Sequence, residues 1–215
     1  MYTKAPAPKQ RSRAFDTPVA PATFIKSAAR AADFPADAGR ELAFVGRSNS
    51  GKSTALNLLA GVRKLARVSK TPGRTQLVNF FAFGEDRRLV DLPGYGFARV
   101  TAGVQERWER TLSTYLLERQ SLVGLALTVD IRRGLGPLDR QLLEWLRPRR
   151  LPLIVLLTKS DKLSRAAAIA GQRAAAKELG EGARVVQFSA IDRDGVEQAR
   201  RWLAELLGSD GSQES

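Results

Sequence analysis

The chain has no cysteine and no histidine. The first absence removes disulfides, thiolate nucleophiles and cysteine-ligated metals, and it leaves the redox compartment unread. The second removes Ser-His-Asp triads, histidine-ligated zinc and imidazole acid/base chemistry. No apolar run approaches the length of a membrane span, and the opening Met1-Tyr2-Thr3-Lys4-Ala5-Pro6 lacks the apolar core of a signal peptide. A soluble, cytoplasmic protein is expected. Acidic residues are in deficit, 22 against 35 lysines and arginines, for a formal net charge of +13. That surplus favours a polyanionic partner, whether RNA, DNA or an acidic membrane surface. Catalysis from this inventory has to use backbone dipoles, lysine, hydroxyls, carboxylates and a hard metal, a set suited to phosphoryl transfer.

Against these absences stands Gly46-Arg47-Ser48-Asn49-Ser50-Gly51-Lys52-Ser53, a full match to the phosphate-loop pattern G-x-x-x-x-G-K-[ST]. It follows the apolar run Leu42 to Val45, read as a strand, and leads into Ala55 to Leu59, read as helix. Gly46 and Gly51 let successive N–H groups converge on phosphate oxygens, and the helix dipole adds to the attraction. Lys52 would reach the outer phosphates and the Ser53 hydroxyl one position on Mg²⁺. A plain glycine turn with a solvated lysine is the bland alternative. It does not explain two glycines, a lysine and a hydroxyl at fixed places.

Two further strand ends carry chemistry. Arg88 to Leu92 runs into Asp91-Leu92-Pro93-Gly94, where the carboxylate can reach a metal through water and the Gly94 N–H the terminal phosphate. Leu151 to Leu157 empties into Thr158-Lys159-Ser160-Asp161. Asp161 can accept from the guanine N1–H and exocyclic amine; leaving a buried polar group unsatisfied costs about 1–3 kcal/mol, enough to separate GTP from ATP. The Lys159 stem would pack over the base. A last strand, Arg184 to Phe188, leads to Ser189-Ala190, placed for a backbone N–H to meet the guanine carbonyl.

The remaining pattern frames these motifs. Residues 1–22, rich in Ala and Pro and basic, are expected to form a flexible arm, and 208–215 a frayed tail. Phe24 to Arg30 reads as a short helix. Residues 63–75 carry five positive charges and no acid, the composition of a functional or mobile loop. Leu77 to Phe83 and Arg88 to Leu92 form a hairpin through Gly84-Glu85-Asp86. Helical spacing marks Gln105 to Arg119, with Trp108, Leu112, Tyr115 and Leu116 on the core side, and then Leu138 to Leu146, Ala166 to Leu179, and Val196 to Leu207 with Trp202 packed. Leu122 to Val129, ending in Asp130, reads as a buried parallel strand. One α/β domain over 23–207 is expected: a doubly wound, mostly parallel six-stranded sheet with one antiparallel edge strand and helices on both faces.

The strings G-R-S-N-S-G-K-S, K-T-P-G-R-T-Q (Lys70 to Gln76) and D-L-P-G-Y-G (Asp91 to Gly96) closely resemble the EngB family of bacterial GTP-binding proteins, among the TrmE-Era-EngA-EngB-Septin-like GTPases. The resemblance runs from about Phe24 to Leu207. It implies a P-loop GTPase domain binding GTP and GDP, with Gly46 to Ser53 on the phosphates and Gly73, Arg74, Thr75, Gln76 and Leu77 as first switch. Asp91, Leu92, Pro93 and Gly94 would form the second switch. Thr158, Lys159, Ser160 and Asp161, with Phe188, Ser189 and Ala190, would frame the base. Ser53 and Thr75 would ligate Mg²⁺, and Lys52, Thr75 and Gly94 would act at the reacting phosphate. The family is associated with assembly of the large ribosomal subunit and with septation. The implied partners are that subunit or its precursor and ribosomal RNA, for a monomer without stable membrane association that supports normal cell division. Thr158 stands where the commoner base motif has Asn, a replacement expected within this group.

Tyr95 occupies the place where many small GTPases carry a water-orienting glutamine. Unaided hydrolysis is expected to be slow, roughly 10⁻⁴ to 10⁻² s⁻¹. Asn49 has two readings, turn closure or a potassium ion bridging the phosphates. Arg63, Lys64, Arg67, Lys70 and Arg74 place positive charge within the first moving loop, where nucleotide state could gate contact with RNA. The rival from another class is a P-loop phosphotransferase acting on a small metabolite; efficient competition of GTP by ATP would favour it. A membrane-surface GTPase drawn by the basic arm is a third reading, though the arm shows no amphipathic anchoring helix.

Overall fold

Burial sorts the strands by type in the computed structural model, which describes residues 21–62, 65–66, 77–95 and 110–208. Most of the basic arm and basic loop, Gly96, Trp108 and the tail beyond 208 lie outside the described residues. Strand β1 spans Thr23–Ala28, β2 Arg40–Gly46, β3 Val78–Ala82, β4 Arg87–Asp91, β5 Leu122–Asp130, β6 Leu153–Thr158 and β7 Ala183–Phe188. Strand β2 sends Leu42 and Phe44 into one core and Ala43 and Val45 into the other. Burial on both faces is what a parallel strand covered by helices on each side requires.

The strands form one sheet in the order β1-β3-β4-β2-β5-β6-β7. Strands β4, β2, β5, β6 and β7 run parallel, and β3 runs against its neighbours β4 and β1. Helix α1 (Lys52–Leu59) and helix α4 (Val196–Leu207), with Trp202 buried, cover one face. The other is covered by a helical stretch ending in a π turn at Thr114–Glu118, by α2 (Pro137–Leu146) and by α3 (Arg165–Leu179). The α/β fold with helices on both faces is as expected from sequence.

Three expectations need correcting. The sheet has seven strands rather than six, and the antiparallel strand β3 is not at the edge. The extra strand is β1, from a segment expected to be helical. Thr, Phe and Ile favour the pleated surface, and pairing with β3 satisfies that strand's outer backbone groups along Thr23 to Ala28, with a register shift between Phe24 and Lys26. Phe24 leans edge-on against Phe81 (5.9 Å between centroids) yet remains exposed, as does Ile25. Ala22, the last residue of the expected arm, is buried.

At the amino-terminal end of the sheet the fold buries an ion network. Glu41, 0% exposed, accepts from Arg119 Nε and Nη2 (both 2.7 Å), Arg88 Nη1 (2.8 Å) and the Tyr115 hydroxyl (3.0 Å). The Arg119 guanidinium also lies over the rings of Phe34, Phe80 and Tyr115 and donates to the Pro35 and Ala36 carbonyls. Beside it the Asp37 carboxylate accepts from the Gln120 and Ser121 amides. Burial raises its pKa, but these bonds and Arg119 outweigh that and bring it down to about 2.

Candidate functional site

Because β2, β4, β5, β6 and β7 point the same way, the segments after Gly46, Asp91, Asp130, Thr158 and Phe188 emerge along one edge, where open α/β sheets take ligands. The loop after β2 is braced from below. A Cβ on Gly46 would come within 2.3 Å of Thr128 Oγ1, so only glycine lets the loop sit so low on β5. Thr128 Oγ1 donates to Val45 O and accepts from Ser50 Oγ at 2.7 Å. Thr158 Oγ1 donates to Ser50 O at 2.5 Å, tying β6 to the same loop. Asn49 adopts a left-handed conformation (φ 63°), which meets the turn-closing reading, and Gly51 (φ 93°) turns the chain into α1. The first-turn amides of that helix, Lys52 and Ser53 among them, have no intrahelical acceptor and face the loop's concavity as an anion-seeking surface.

Lys52 Nζ donates to Asp91 Oδ1, and both side chains are nearly buried. The pair brings the amine of the phosphate loop and the carboxylate of the D-x-x-G motif to one point. Leu92 is buried behind them, and Pro93 leads to Gly94, where a Cβ would stand 3.3 Å from Ser48 N. Tyr95 then bridges back: its N–H donates to Gly46 O (3.3 Å) and its carbonyl accepts from Ser48 N (3.2 Å).

On the other side, Lys159 has a left-handed backbone (φ 61°), and its ammonium donates to Asn49 O (2.8 Å) and Asp130 Oδ2 (2.9 Å). The carboxyl of Asp130 is held well below the usual range, first by Arg132, which donates to both oxygens, and then by Lys159. The lysine stem is thus stretched beside the phosphate loop as a fixed wall. Ser160 is buried. Asp161 Oδ1 accepts from Ser189 Oγ (3.0 Å), whose oxygen also takes the Ile191 and Asp192 amides and so sets the turn after β7. Asp161 Oδ2 is shielded from solvent and takes no hydrogen bond from a described residue, although Lys162 Nζ lies 3.2 Å away. Burial raises the Asp161 pKa; Ser189 and Lys162 together outweigh it and leave the group ionised. Phe188 and Ser189 are buried and Ala190 is exposed.

The structure therefore brings together Gly46 to Ser53, Asp91 to Gly94, Thr158 to Asp161 and Phe188 to Ala190. Leu77, partly exposed, enters β3 from the same edge, since Asn79 pairs with Asp91. Gly73, Arg74, Thr75 and Gln76 lie outside the described residues. Reading the sequence missed Thr128, which bonds the loop directly at Ser50, and Asp130 and Asp139, which act on it through Lys159 and Tyr95; only Asp130, a carboxylate closing a buried strand, gave a signal. A cavity of about 110 Å³ lies against the loop, lined in part by Arg47, Asn49, Asp130, Arg133 and Lys159. No described helix is long and apolar enough to cross a membrane.

A family model described as a 50S ribosome-binding GTPase matches residues 41–159. The chain is 51% identical over 188 residues to the probable GTP-binding protein EngB of Nitrosococcus oceani, covering 86% of this chain and 94% of that protein. It is 46% identical over 192 residues to the probable GTP-binding protein EngB of Coxiella burnetii, covering 88% and 94%. Among solved structures, a probable GTP-binding protein EngB superposes with a TM-score of 0.60 at 25% identity, over 78% of this chain and 98% of that one. Era in complex with MgGDPNP and a segment of 16S ribosomal RNA superposes with a TM-score of 0.63 at 21% identity, over 79% of this chain and 57% of that one, a likeness of fold.

Proposed function

This chain belongs to the EngB family of GTP-binding proteins and is a GTPase, and on that premise we propose that it works as a nucleotide-controlled switch in assembly of the large ribosomal subunit. The observation that carries the nucleotide assignment is Asp161 Oδ2, shielded from solvent at the edge that also presents the phosphate loop, where it takes no hydrogen bond from a described residue although Lys162 Nζ lies 3.2 Å away. Guanine supplies two donors to such a carboxylate and adenine supplies none in that place, so the base adds the hydrogen bond that Oδ2 does not take from a described residue. The Lys159 stem flanks the base, and the turn through Ser189 and Ala190 offers an amide to its carbonyl.

Phosphates displace the Lys52–Asp91 pairing and take Lys52 and the first-turn amides in its place. Hydrolysis is attack of water on the terminal phosphorus. A new P–O bond forms as the bond to the bridging oxygen breaks, charge moves onto the β-phosphate, and the water protons leave with inorganic phosphate and solvent. Lys52 and the loop amides meet that charge, and Gly94 N–H holds the terminal phosphate. Ser53, next to Lys52 in the first turn of α1, offers a hydroxyl oxygen, a donor that suits a hard ion. Ser53 and Thr75 would hold Mg²⁺, which would supply positive charge against the charge developing on the phosphates. Rates compared in potassium and sodium salts decide whether Asn49 also serves a monovalent cation.

The formal charge of +13 and the family's ribosome-binding description support ribosomal RNA of the large subunit or its precursor as partner, with an effect on septation following from failed subunit assembly. The test is sedimentation of the purified chain with ribosomal subunits in GDP and in a nonhydrolysable GTP analogue. Co-sedimentation with the large subunit in the analogue and release in GDP is expected. Equal binding in both, or none, overturns the switch.

A further inference from the structure

Tyr95 is not free to approach a reacting phosphate. Its backbone is paired in both directions with the phosphate loop, at Gly46 O and Ser48 N. Its ring packs on the core beneath α2, and its hydroxyl donates to Asp139 Oδ1 at 2.6 Å. Asp139, 1% exposed, sits in the first turn of α2, and its other oxygen accepts from Gly136 N at 2.7 Å. A Cβ on Gly136 would stand 2.9 Å from Arg47 Nη1, so the helix start is packed against the phosphate loop as well. Burial first, and the Asp139 carboxylate second, push the Tyr95 phenol upward, so it stays protonated and a donor at any working pH.

We propose that Asp139 is a positioning residue for the terminal-phosphate half of the site: by holding the Tyr95 hydroxyl it keeps the chain after Gly94 docked on the phosphate loop. Gly94 lies one residue before this anchor. Its N–H is the group assigned to the terminal phosphate, and GDP lacks that phosphate. Docking before the nucleotide arrives removes the cost of ordering this segment on binding. The benefit falls on GTP and on the hydrolytic step, while GDP, gripped by Lys52 and the first-turn amides, gains little. The phenol, committed to Asp139, is not available to orient water, in line with the slow unaided turnover expected from the sequence.

This rests on the GTPase reading above, and the test separates the two. Affinities of the full chain for GDP and for a nonhydrolysable GTP analogue are measured by calorimetry, with single-turnover hydrolysis, for the wild type, Tyr95→Phe, Asp139→Asn and the double variant; thermal unfolding reports stability. Tyr95→Phe keeps the ring and backbone and removes only the donor. It is expected to weaken the analogue about tenfold, the loss of one charge-assisted hydrogen bond, with GDP affinity changed less than twofold and hydrolysis slowed about tenfold. Asp139→Asn keeps one acceptor oxygen for two donors and should fall between. The double variant should be no worse than the more affected single one, because both act through one bond. Equal losses for GDP and analogue, additive losses in the double variant, or an unchanged GTP-to-GDP ratio would overturn the positioning role. A wild type that binds neither nucleotide would instead overturn the reading on which it rests.

Discussion

The two ends of the central sheet hold buried charge in opposite ways. At the amino-terminal end Glu41 takes hydrogen bonds from two arginines and a tyrosine, and the leftover guanidinium donors reach carbonyls of Pro35, Ala36 and Ala38. Both Glu41 oxygens are taken by described residues, although the neighbouring Ser121 hydroxyl is buried and makes no hydrogen bond with a described residue. At the carboxyl-terminal end Lys52 and Asp91 face each other in a concavity lined by amides, and Asp161 Oδ2, 3.2 Å from Lys162 Nζ, takes no hydrogen bond from a described residue. Isolated buried ions are costly wherever they sit. The Glu41 carboxylate, with every oxygen paired inside the protein, is a structural ion cluster, and the less fully hydrogen-bonded Asp161 carboxylate is the one for which a ligand is proposed.

Substitutions at each end should therefore fail differently. Glu41→Ala strands Arg119 and Arg88 and is expected to lower folding stability by about 3–5 kcal/mol, read from urea-denaturation midpoints, without altering the guanine-nucleotide affinity of the folded fraction. If affinity falls as well, the two ends are coupled and the contrast breaks. Lys52→Ala should reverse this pattern. Loss of the charged donor to the phosphates weakens GDP and GTP by about 100-fold in calorimetry, the upper range for a hydrogen bond to a charged group. Asp161→Ala sharpens the division within the carboxyl-terminal end. Guanine nucleotides should lose about 10- to 100-fold while adenine nucleotides, already weak, change little. The smallest effect is at Asp37. Its folded pKa of about 2 lies below the ordinary unfolded value, so its contribution is present above about pH 4 and is lost as pH falls toward 2. Asp37→Asn should flatten that stretch of the stability profile and leave nucleotide binding at neutral pH unchanged.

What could be read from the sequence was whatever is local. The phosphate loop lies between a run with strand character and a run with helix character, and Asp91 and Thr158 to Asp161 follow apolar stretches short enough to be strands. Strand ends of a parallel sheet must meet along one edge, so their convergence followed from order alone. The segment Thr23 to Ala28 misled because its fate is set by a distant edge, β3, and not by its own spacing. The Glu41 network and the Tyr95–Asp139 bond were invisible for the same reason. Glu41 and Arg119 are 78 residues apart, Tyr95 and Asp139 are 44 apart, and no periodicity links them. Asp139 had a local explanation as well, since an acid in the first turn of a helix is ordinary capping.

The hydroxyl of Thr158, set on the Ser50 carbonyl, makes the strand that leads to Asp161 and the loop from Gly46 to Ser53 into one piece. In the proposed binding mode the two jaws cannot drift apart, so the site gauges the separation between a nucleobase and its phosphates as a calliper does. A molecule carrying only one of the two features, or both at another span, engages one jaw and leaves the other open.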